Sequence, residues 1–128
     1  MRQLQTPDTE LELIWAAYQP RTLVSDVLKA VSIYTGIPIG SLISQRRTKK
    51  LVRARWSAFF IARNMSQASY PQIGKAFRKD HTTVLYGCDQ MDELVKSDID
   101  LKAHIAAMQA LTEKIRDQRL SKKIQVAA

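Results

Sequence analysis

Apolar residues recur at intervals of three and four along most of the chain, which is the spacing of helices that bury one face. Few stretches alternate apolar and polar positions at period two, and β-branched residues do not cluster into bounded runs. The pattern predicts an all-α helical bundle with helices over about 7–18, 22–35, 49–65, 70–77, from residue 81 onward, and 97–120. A short helical turn is expected at 41–44, and a frayed tail at 121–128.

The predicted helices begin at side chains whose oxygens accept hydrogen bonds from free backbone N–H groups. The expected caps are Thr22, Thr48, Ser69, Asp80 and Ser97. Ser69 and Gln72 have the spacing of a capping box, and Gly36 is expected to end the second helix. We divide the chain into an N-terminal helical extension (1–21), a central domain (22–95), and a C-terminal helix with its tail (96–128).

The helix over 70–77 and the helix from residue 81 are separated by three residues, which is the spacing of a helix-turn-helix. In that motif the first residues of the second helix reach base edges in the major groove of DNA. Here those residues are Asp80, His81, Thr82 and Thr83. Thr offers a methyl group to thymine, His donates hydrogen bonds, and Asp accepts one from cytosine. The alternative is that these residues are only a polar helix start.

Positive charge is concentrated in one part of the chain. There are 20 Lys and Arg against 12 Asp and Glu, a formal net charge of +8, and residues 27–79 contain eleven of the cations and no acid. Since a solvated helix face usually mixes both signs, an all-positive stretch favours a polyanionic partner. Double-stranded nucleic acid is the favoured partner, and an anionic membrane surface and an acidic protein are the alternatives.

The densest cations surround the predicted start of the 49–65 helix. The loop residues Arg46 and Arg47 lead into four further cations, which are Lys49, Lys50, Arg53 and Arg55. Because a helix N-terminus is itself positive, four cations beside it are electrostatically unfavourable unless an anion joins them. A bound phosphate would relieve the repulsion, and the alternative is that the side chains extend into water.

Residue types that build catalytic and metal sites are scarce. Cys88 is the single cysteine and His81 and His104 are the two histidines, too few for a disulfide framework or a Cys/His zinc site. None of the four glycines lies in a phosphate-binding Gly-x4-Gly-Lys-Ser/Thr loop, and Asp80 is the one acid on the predicted DNA face. We expect no enzymatic activity, cofactor or metal, a core position for Cys88, and a cytoplasmic, nucleoid-associated protein without membrane spans.

Leucine, methionine and isoleucine recur every seven residues towards the C-terminus, at Leu94, Leu101, Met108 and Ile115. Heptad spacing is typical of a helix that packs against another helix. The favoured interpretation is packing against the rest of the chain, and the alternative is a homodimer or a protein partner bound through 97–120.

The string Asp80-His81-Thr82-Thr83-Val84-Leu85, preceded by Ser69 to Phe77, resembles the C-terminal, origin-binding domain of the bacterial replication initiator DnaA. The resemblance extends upstream through Leu42–Arg47 and Val52–Arg55 and covers roughly residues 31–94. It implies a Trp-repressor-like helical fold with a helix-turn-helix, and binding to the nine-base-pair sites called DnaA boxes.

The resemblance also implies roles for individual residues. Arg47, the second Arg of the loop, would enter the minor groove, and Arg55 and Arg63 would contact the DNA backbone. Tyr70 and Pro71 would lie against phosphate. Lys79 matches a basic family position, and the four residues Asp80 to Thr83 match the major-groove readers.

The sequence departs from the family pattern in three places. The family usually has two glycines between its Phe and the Asp-His string, where this chain has only Arg78 and Lys79, so a reoriented second helix is possible. Trp56 replaces a polar glutamine near the phosphates, and it could stack, pack inward or alter that contact. Since the residues of this chain contain no phosphate-binding loop, we expect the family's ATPase module to be missing.

Two functions follow from these observations. The first is a stand-alone sequence-specific binder of double-stranded DNA that regulates replication initiation or transcription without ATPase activity. The alternative is an adaptor whose terminal helices recruit a replication partner or form a dimer, with DNA binding secondary.

Overall fold

The computed structural model describes residues 21–127, with side chains described to residue 122, and this range forms six helices and no strand. They are α1 (Val24–Thr35), α2 (Ile39–Leu42), α3 (Lys49–Met65), α4 (Tyr70–Phe77), α5 (His81–Ser97) and α6 (Ile99–Ala127). The predicted all-α fold is confirmed. The helix predicted at 7–18 lies outside the described residues. No helix of the described range has both the length and the hydropathy needed to cross a bilayer.

Local capping explains where most of the helices begin. The Thr48 hydroxyl accepts from the Leu51 N–H at 3.3 Å, and the Ser69 hydroxyl accepts from the Gln72 N–H at 3.2 Å. The Gln72 side chain in turn accepts from the Ser69 N–H at 2.8 Å, which completes the predicted capping box. Gly36 ends α1 in the left-handed conformation, with φ 76°, as predicted.

Two predicted caps are wrong. α1 is capped at Leu23, whose N–H is bound by the Asp26 carboxylate at 2.9 Å, because Asp26 is the stronger acceptor there. Thr22 lies outside the helix. Ser97 is the last residue of α5, and the Asp98 carboxylate binds the Leu101 N–H at 3.0 Å to start α6.

The C-terminal helix is longer than predicted. The sequence pattern suggested an end near residue 120 and a frayed tail beyond it, whereas α6 continues to Ala127. Residues 117–127 contain no Gly or Pro, so nothing in the local sequence stops the helix.

A single hydrophobic core joins all six helices, with α3 packed against α1, α5 and α6. The rings of Phe59 and Phe77 meet edge to face, with 4.9 Å between their centroids. The largest fully buried apolar side chains are Val27, Val31, Leu42, Phe59, Ile61, Ile73, Phe77, Val84 and Met91. The core therefore lies directly beneath the helix-turn-helix formed by α4 and α5.

The apolar side of α6 packs back on its own chain, mainly along α1. Ile105 and Met108 are buried in the common core, and Leu101 packs against it. The favoured interpretation is confirmed for the heptad residues Leu101 and Met108. Ile105 and Met108 lie beyond the helix-turn-helix in sequence and still contribute to the same core.

A buried ion pair fixes α6 to α1. Asp26 is fully buried, and its two oxygens accept hydrogen bonds from Arg119 at 3.0 and 2.9 Å. Burial, the largest single influence, raises the pKa of Asp26, and the hydrogen bonds from Arg119 and the Leu23 N–H oppose that shift. With the attraction of Arg119 and Lys29 added, the pKa of Asp26 is lowered from its ordinary value of 3.8. Asp26 is therefore a carboxylate at neutral pH.

Candidate nucleic-acid interface

The turn between α4 and α5 is a Schellman motif with an arginine, in place of the usual glycine, at its left-handed position. The Lys79 N–H bonds to the Gly74 carbonyl at 2.8 Å, and the Arg78 N–H bonds to the Lys75 carbonyl at 3.3 Å. Arg78 takes the left-handed conformation that the motif requires, with φ 57° and ψ 42°. The shortened link therefore still forms a tight helix-turn-helix, with Asp80 following as the cap of α5.

Gly74 allows the two helices of the motif to approach each other. A Cβ atom on Gly74 would lie 2.5 Å from the backbone oxygen of Lys79, closer than real contacts allow. Since that oxygen belongs to the backbone of the turn, it cannot move aside without displacing the start of α5. The absence of a side chain at Gly74 thus allows α5 to begin where it does.

We expect Gly74→Ala to lower the free energy of unfolding by about 1–3 kcal/mol, because the added methyl overpacks the turn. Gly40→Ala is the matched control, since a Cβ at Gly40 meets nothing within 4 Å. Urea denaturation of both variants measures the difference. Equal stabilities for the two variants would contradict the proposed close approach.

The four residues at the start of α5 are all exposed. The Asp80 carboxylate accepts from the Thr82 N–H at 3.3 Å and from the Thr82 hydroxyl, and both hydrogen bonds lower the pKa of Asp80. His81 Nδ1 lies 3.6 Å from the Asp80 carboxylate. Because the Thr82 hydroxyl donates to Asp80, its methyl group and its oxygen lone pairs are what it presents outward.

A groove of about 460 Å³ runs between this helix start and the loop before α3. It brings together six of the predicted site residues, which are Arg47, Arg55, Lys79, Asp80, Thr82 and Thr83. The remaining walls include Gln45, Arg78, Trp56 and Tyr86. The basic loop and the polar helix start, distant in sequence, thus face one groove.

Arg55 has a different position from the one predicted. Its side chain is only 4% exposed, and its guanidinium donates to the carbonyls of Leu42, Arg46, Ser41 and Ser44 at 2.6–3.1 Å. Burial, and then repulsion by Arg47, lowers its pKa. We therefore correct the predicted backbone contact of Arg55 with DNA, because four of its five N–H donors are already bound to carbonyls within the protein.

Lys79 is half-buried and is also directed towards the protein. Its Nζ donates to the carbonyl of Ser44 at 2.7 Å, to that of Phe77 at 3.3 Å and to that of Ile43 at 3.4 Å. Burial, and then the charges of Arg55 and Arg78, lower the pKa of Lys79. Lys79 therefore connects the turn before α5 to the loop that carries Arg46 and Arg47.

The other predicted cations lie on the surface. Four exposed cations stand at the loop and the first turns of α3, namely Arg46, Lys49, Lys50 and Arg53. Arg63 is exposed near the end of α3. Its guanidinium carbon lies 4.4 Å from the centre of the Tyr70 ring, and one of its N–H groups donates to the Ala68 carbonyl at 3.0 Å. Pro71 is exposed in the first turn of α4. Arg63, Tyr70 and Pro71 do not line the groove.

Tyr86, which the sequence did not point to, lines the groove beside Trp56. Tyr86 is 57% exposed and its ring meets Trp56 edge to face, with 5.9 Å between centroids. Gly87 allows this packing, because a Cβ there would lie 2.6 Å from the Trp56 ring. Tyr86 follows Thr82 and Thr83 by four and three residues, a spacing that places all three on one helix face and could have identified it.

Cys88 is buried on the other side of α5, and burial raises its pKa to about 11. The thiol is therefore protonated at neutral pH and is a weak nucleophile. Within residues 21–127, no three His, Cys, Asp or Glu side chains come together in a way that could hold a metal ion.

The family model described as "Bacterial dnaA protein helix-turn-helix" matches residues 24–91, just over half of the chain. The matched segment runs from the start of α1 into α5 and contains the groove and the helix-turn-helix. α6 lies outside it.

Proposed function

This chain belongs to the bacterial DnaA helix-turn-helix family, a DNA-binding family, and we propose that it binds double-stranded DNA at DnaA-box-like sequences. The start of α5 enters the major groove and Arg47 enters the adjacent minor groove. Occupation of these sites regulates replication initiation or transcription, and the DNA-binding step needs no ATP hydrolysis.

The observation that carries this proposal is the exposure of Asp80 to Thr83 at the N-terminus of the second helix of the motif. In a helix-turn-helix, this is the part that reaches base edges. The ionised Asp80 accepts from a cytosine amino group, His81 donates to a base or a phosphate, and the Thr82 and Thr83 methyl groups contact thymine.

Arg47 supports the second half of the proposal, because it faces the same groove as Thr82 and Thr83. One phosphodiester strand separates a major groove from its neighbouring minor groove. That strand would lie along the groove, with Arg47 on one side and the start of α5 on the other. The narrow minor groove has a negative potential that attracts arginine.

The exposed cations of α3 and its preceding loop supply affinity without sequence preference. Arg46, Lys49, Lys50 and Arg53 can neutralise phosphates and release counterions, so binding weakens as salt rises. Arg63, Tyr70 and Pro71 are proposed to contact the backbone further along the site. Sequence preference then comes from α5 and Arg47.

The direct test is binding to a DnaA-box duplex and to a scrambled duplex of equal composition at physiological salt. We expect the box to bind at least about a thousandfold more tightly, the lower range for specific recognition. Equal affinities would rule out the proposed specificity. Selection of bound sequences from a random pool would then define the preferred site.

We expect His81→Ala and Thr82→Ser to reduce discrimination between the two duplexes, by about 10-fold or more for a lost base contact. Thr82→Ser keeps the hydroxyl that donates to Asp80 and removes only the methyl group, so it isolates the thymine contact. Lys50→Ala is the control. It should weaken both duplexes alike and reduce the slope of log affinity against log salt by about one. Unchanged discrimination in both α5 variants would argue against base reading by α5.

A further inference from the structure

Two cations that point into the protein connect the two parts of the candidate interface. We propose that Arg55 and Lys79 are positioning residues, which hold the Arg46–Arg47 loop at a fixed place relative to the start of α5. The inference rests on the proposed function, because it assigns how the two DNA-reading parts are kept in register. It replaces direct DNA contact as the role of both side chains.

Arg55 closes the loop from the side of α3. The four carbonyls it binds belong to residues 41–46, which include the end of the short helix α2 and the irregular segment after it. Carbonyls at a helix end have no partner within the helix and need another donor. One guanidinium donates to two carbonyls at the end of α2, those of Ser41 and Leu42. It also donates to two carbonyls in the segment after α2, including that of Arg46 itself at 2.6 Å.

Lys79 closes the loop from the side of the turn. Its Nζ reaches the Ser44 carbonyl at 2.7 Å, and the same oxygen accepts from Arg55 at 2.8 Å. A third bond joins Lys79 to the Phe77 carbonyl at the end of α4. The Ser44 carbonyl is therefore the point where α3, the loop and the helix-turn-helix are tied together.

The electrostatics favour this role over phosphate contact. Arg55 is almost fully buried and Lys79 is half-buried, so both cations have lost part of their contact with water. Carbonyl oxygens compensate for the lost water through charge-assisted hydrogen bonds. A move towards phosphate would break those bonds and free the loop, so the two side chains contribute more where they are.

The consequence is a fixed spacing between Arg47 and the residues Asp80 to Thr83. Both sets can then contact DNA at once only where the major and minor grooves lie at that spacing. If the Arg46–Arg47 loop were released, it would keep its positive charges but would lose its fixed spacing from the start of α5. The pair of positioning residues, Arg55 and Lys79, therefore affects discrimination between DNA sequences. It leaves the non-specific attraction of the protein to DNA unchanged.

The test is a double-mutant cycle of Lys79→Met and Arg47→Ala, with Lys75→Met as the control for removal of a lysine charge. Lys75 is exposed on α4 and does not line the groove. We expect Lys79→Met to weaken box binding about tenfold, leave the salt slope unchanged, and have no effect once Arg47 is Ala. Additive losses with a slope reduced by about one would assign Lys79 to phosphate contact and overturn the proposal.

A second measurement needs no DNA and separates this inference from the proposed function. Trypsin cleaves after Arg46 and Arg47, and a released loop is a better substrate. We expect cleavage there about tenfold faster in Lys79→Met than in Lys75→Met, under conditions where urea denaturation shows both to be folded. Equal cleavage rates would overturn the proposed positioning of the loop, even if the protein discriminates between the duplexes. Faster cleavage supports it even if the protein does not.

Discussion

Arg119→Met is expected to lower the free energy of unfolding by about 3–5 kcal/mol at neutral pH, the cost of leaving a buried charge without its partner. Asp26 is fully buried, and Arg119 supplies both charge-assisted hydrogen bonds that connect it to α6. Methionine keeps most of the length of the side chain and removes the donors. Urea denaturation at neutral pH measures the effect.

The pH dependence identifies Asp26 as the cause. In the wild type the folded-state pKa of Asp26 is lowered, so its stabilisation is present above 3.8 and is lost as pH falls through the lowered value. Without Arg119, burial raises the pKa of Asp26, and protonation removes the unpaired charge. The stability difference between variant and wild type should therefore shrink between pH 7 and roughly pH 3.

Arg116→Met is the matched control for this pair. Arg116 bonds to the Thr22 hydroxyl at 3.3 Å and to the exposed Asp117, so no buried carboxylate depends on it. Its loss should cost less than about 1 kcal/mol at either pH. Equal costs for the two variants would contradict a structural role for the Asp26–Arg119 pair.

Phe77→Ala is the second large effect, and we expect a loss of about 3–5 kcal/mol. Phe77 is fully buried as the last residue of α4, and its ring packs edge to face on Phe59. The cavity would open directly under the turn, so a melting curve should show a large fall in Tm. DNA affinity should fall in parallel as the folded fraction decreases.

Phe60→Ala controls for the loss of an aromatic ring. Phe60 is half-buried beside the core, so its truncation opens less of a cavity and should cost about half as much or less. A fall in box affinity at a temperature where Phe77→Ala remains fully folded would mean that the ring also sets the position of α5. A Tm equal to that of Phe60→Ala would contradict the core role.

Much of the fold could be predicted because its helix boundaries depend on residues that lie close together in the sequence. Thr48, the Ser69–Gln72 pair and Asp80 each cap a helix through a contact three residues away or fewer. The two wrong caps arose where a stronger carboxylate acceptor stood within four residues, at Asp26 and at Asp98. The capping preferences of single residues could not decide between Thr22 and Asp26, or between Ser97 and Asp98.

The candidate site could be predicted only in part, because burial depends on distant residues. Nothing near Arg55 in the sequence indicates that the carbonyls of residues 41–46 surround it. Lys79 likewise meets Ser44 across 35 positions of sequence. The exposed residues Asp80 to Thr83 were identifiable because their place at a helix start already determines what they can reach.

The packing of α6 has a consequence for modularity. The family-matched segment 24–91 ends before Ile105 and Met108, which share the core with Val27 and Val31 on α1. Taken alone, that segment would present this apolar side of α1 to water and would tend to self-associate. A transfer of this DNA-binding segment to another protein would therefore require a second helix that covers α1 and an arginine that reaches Asp26.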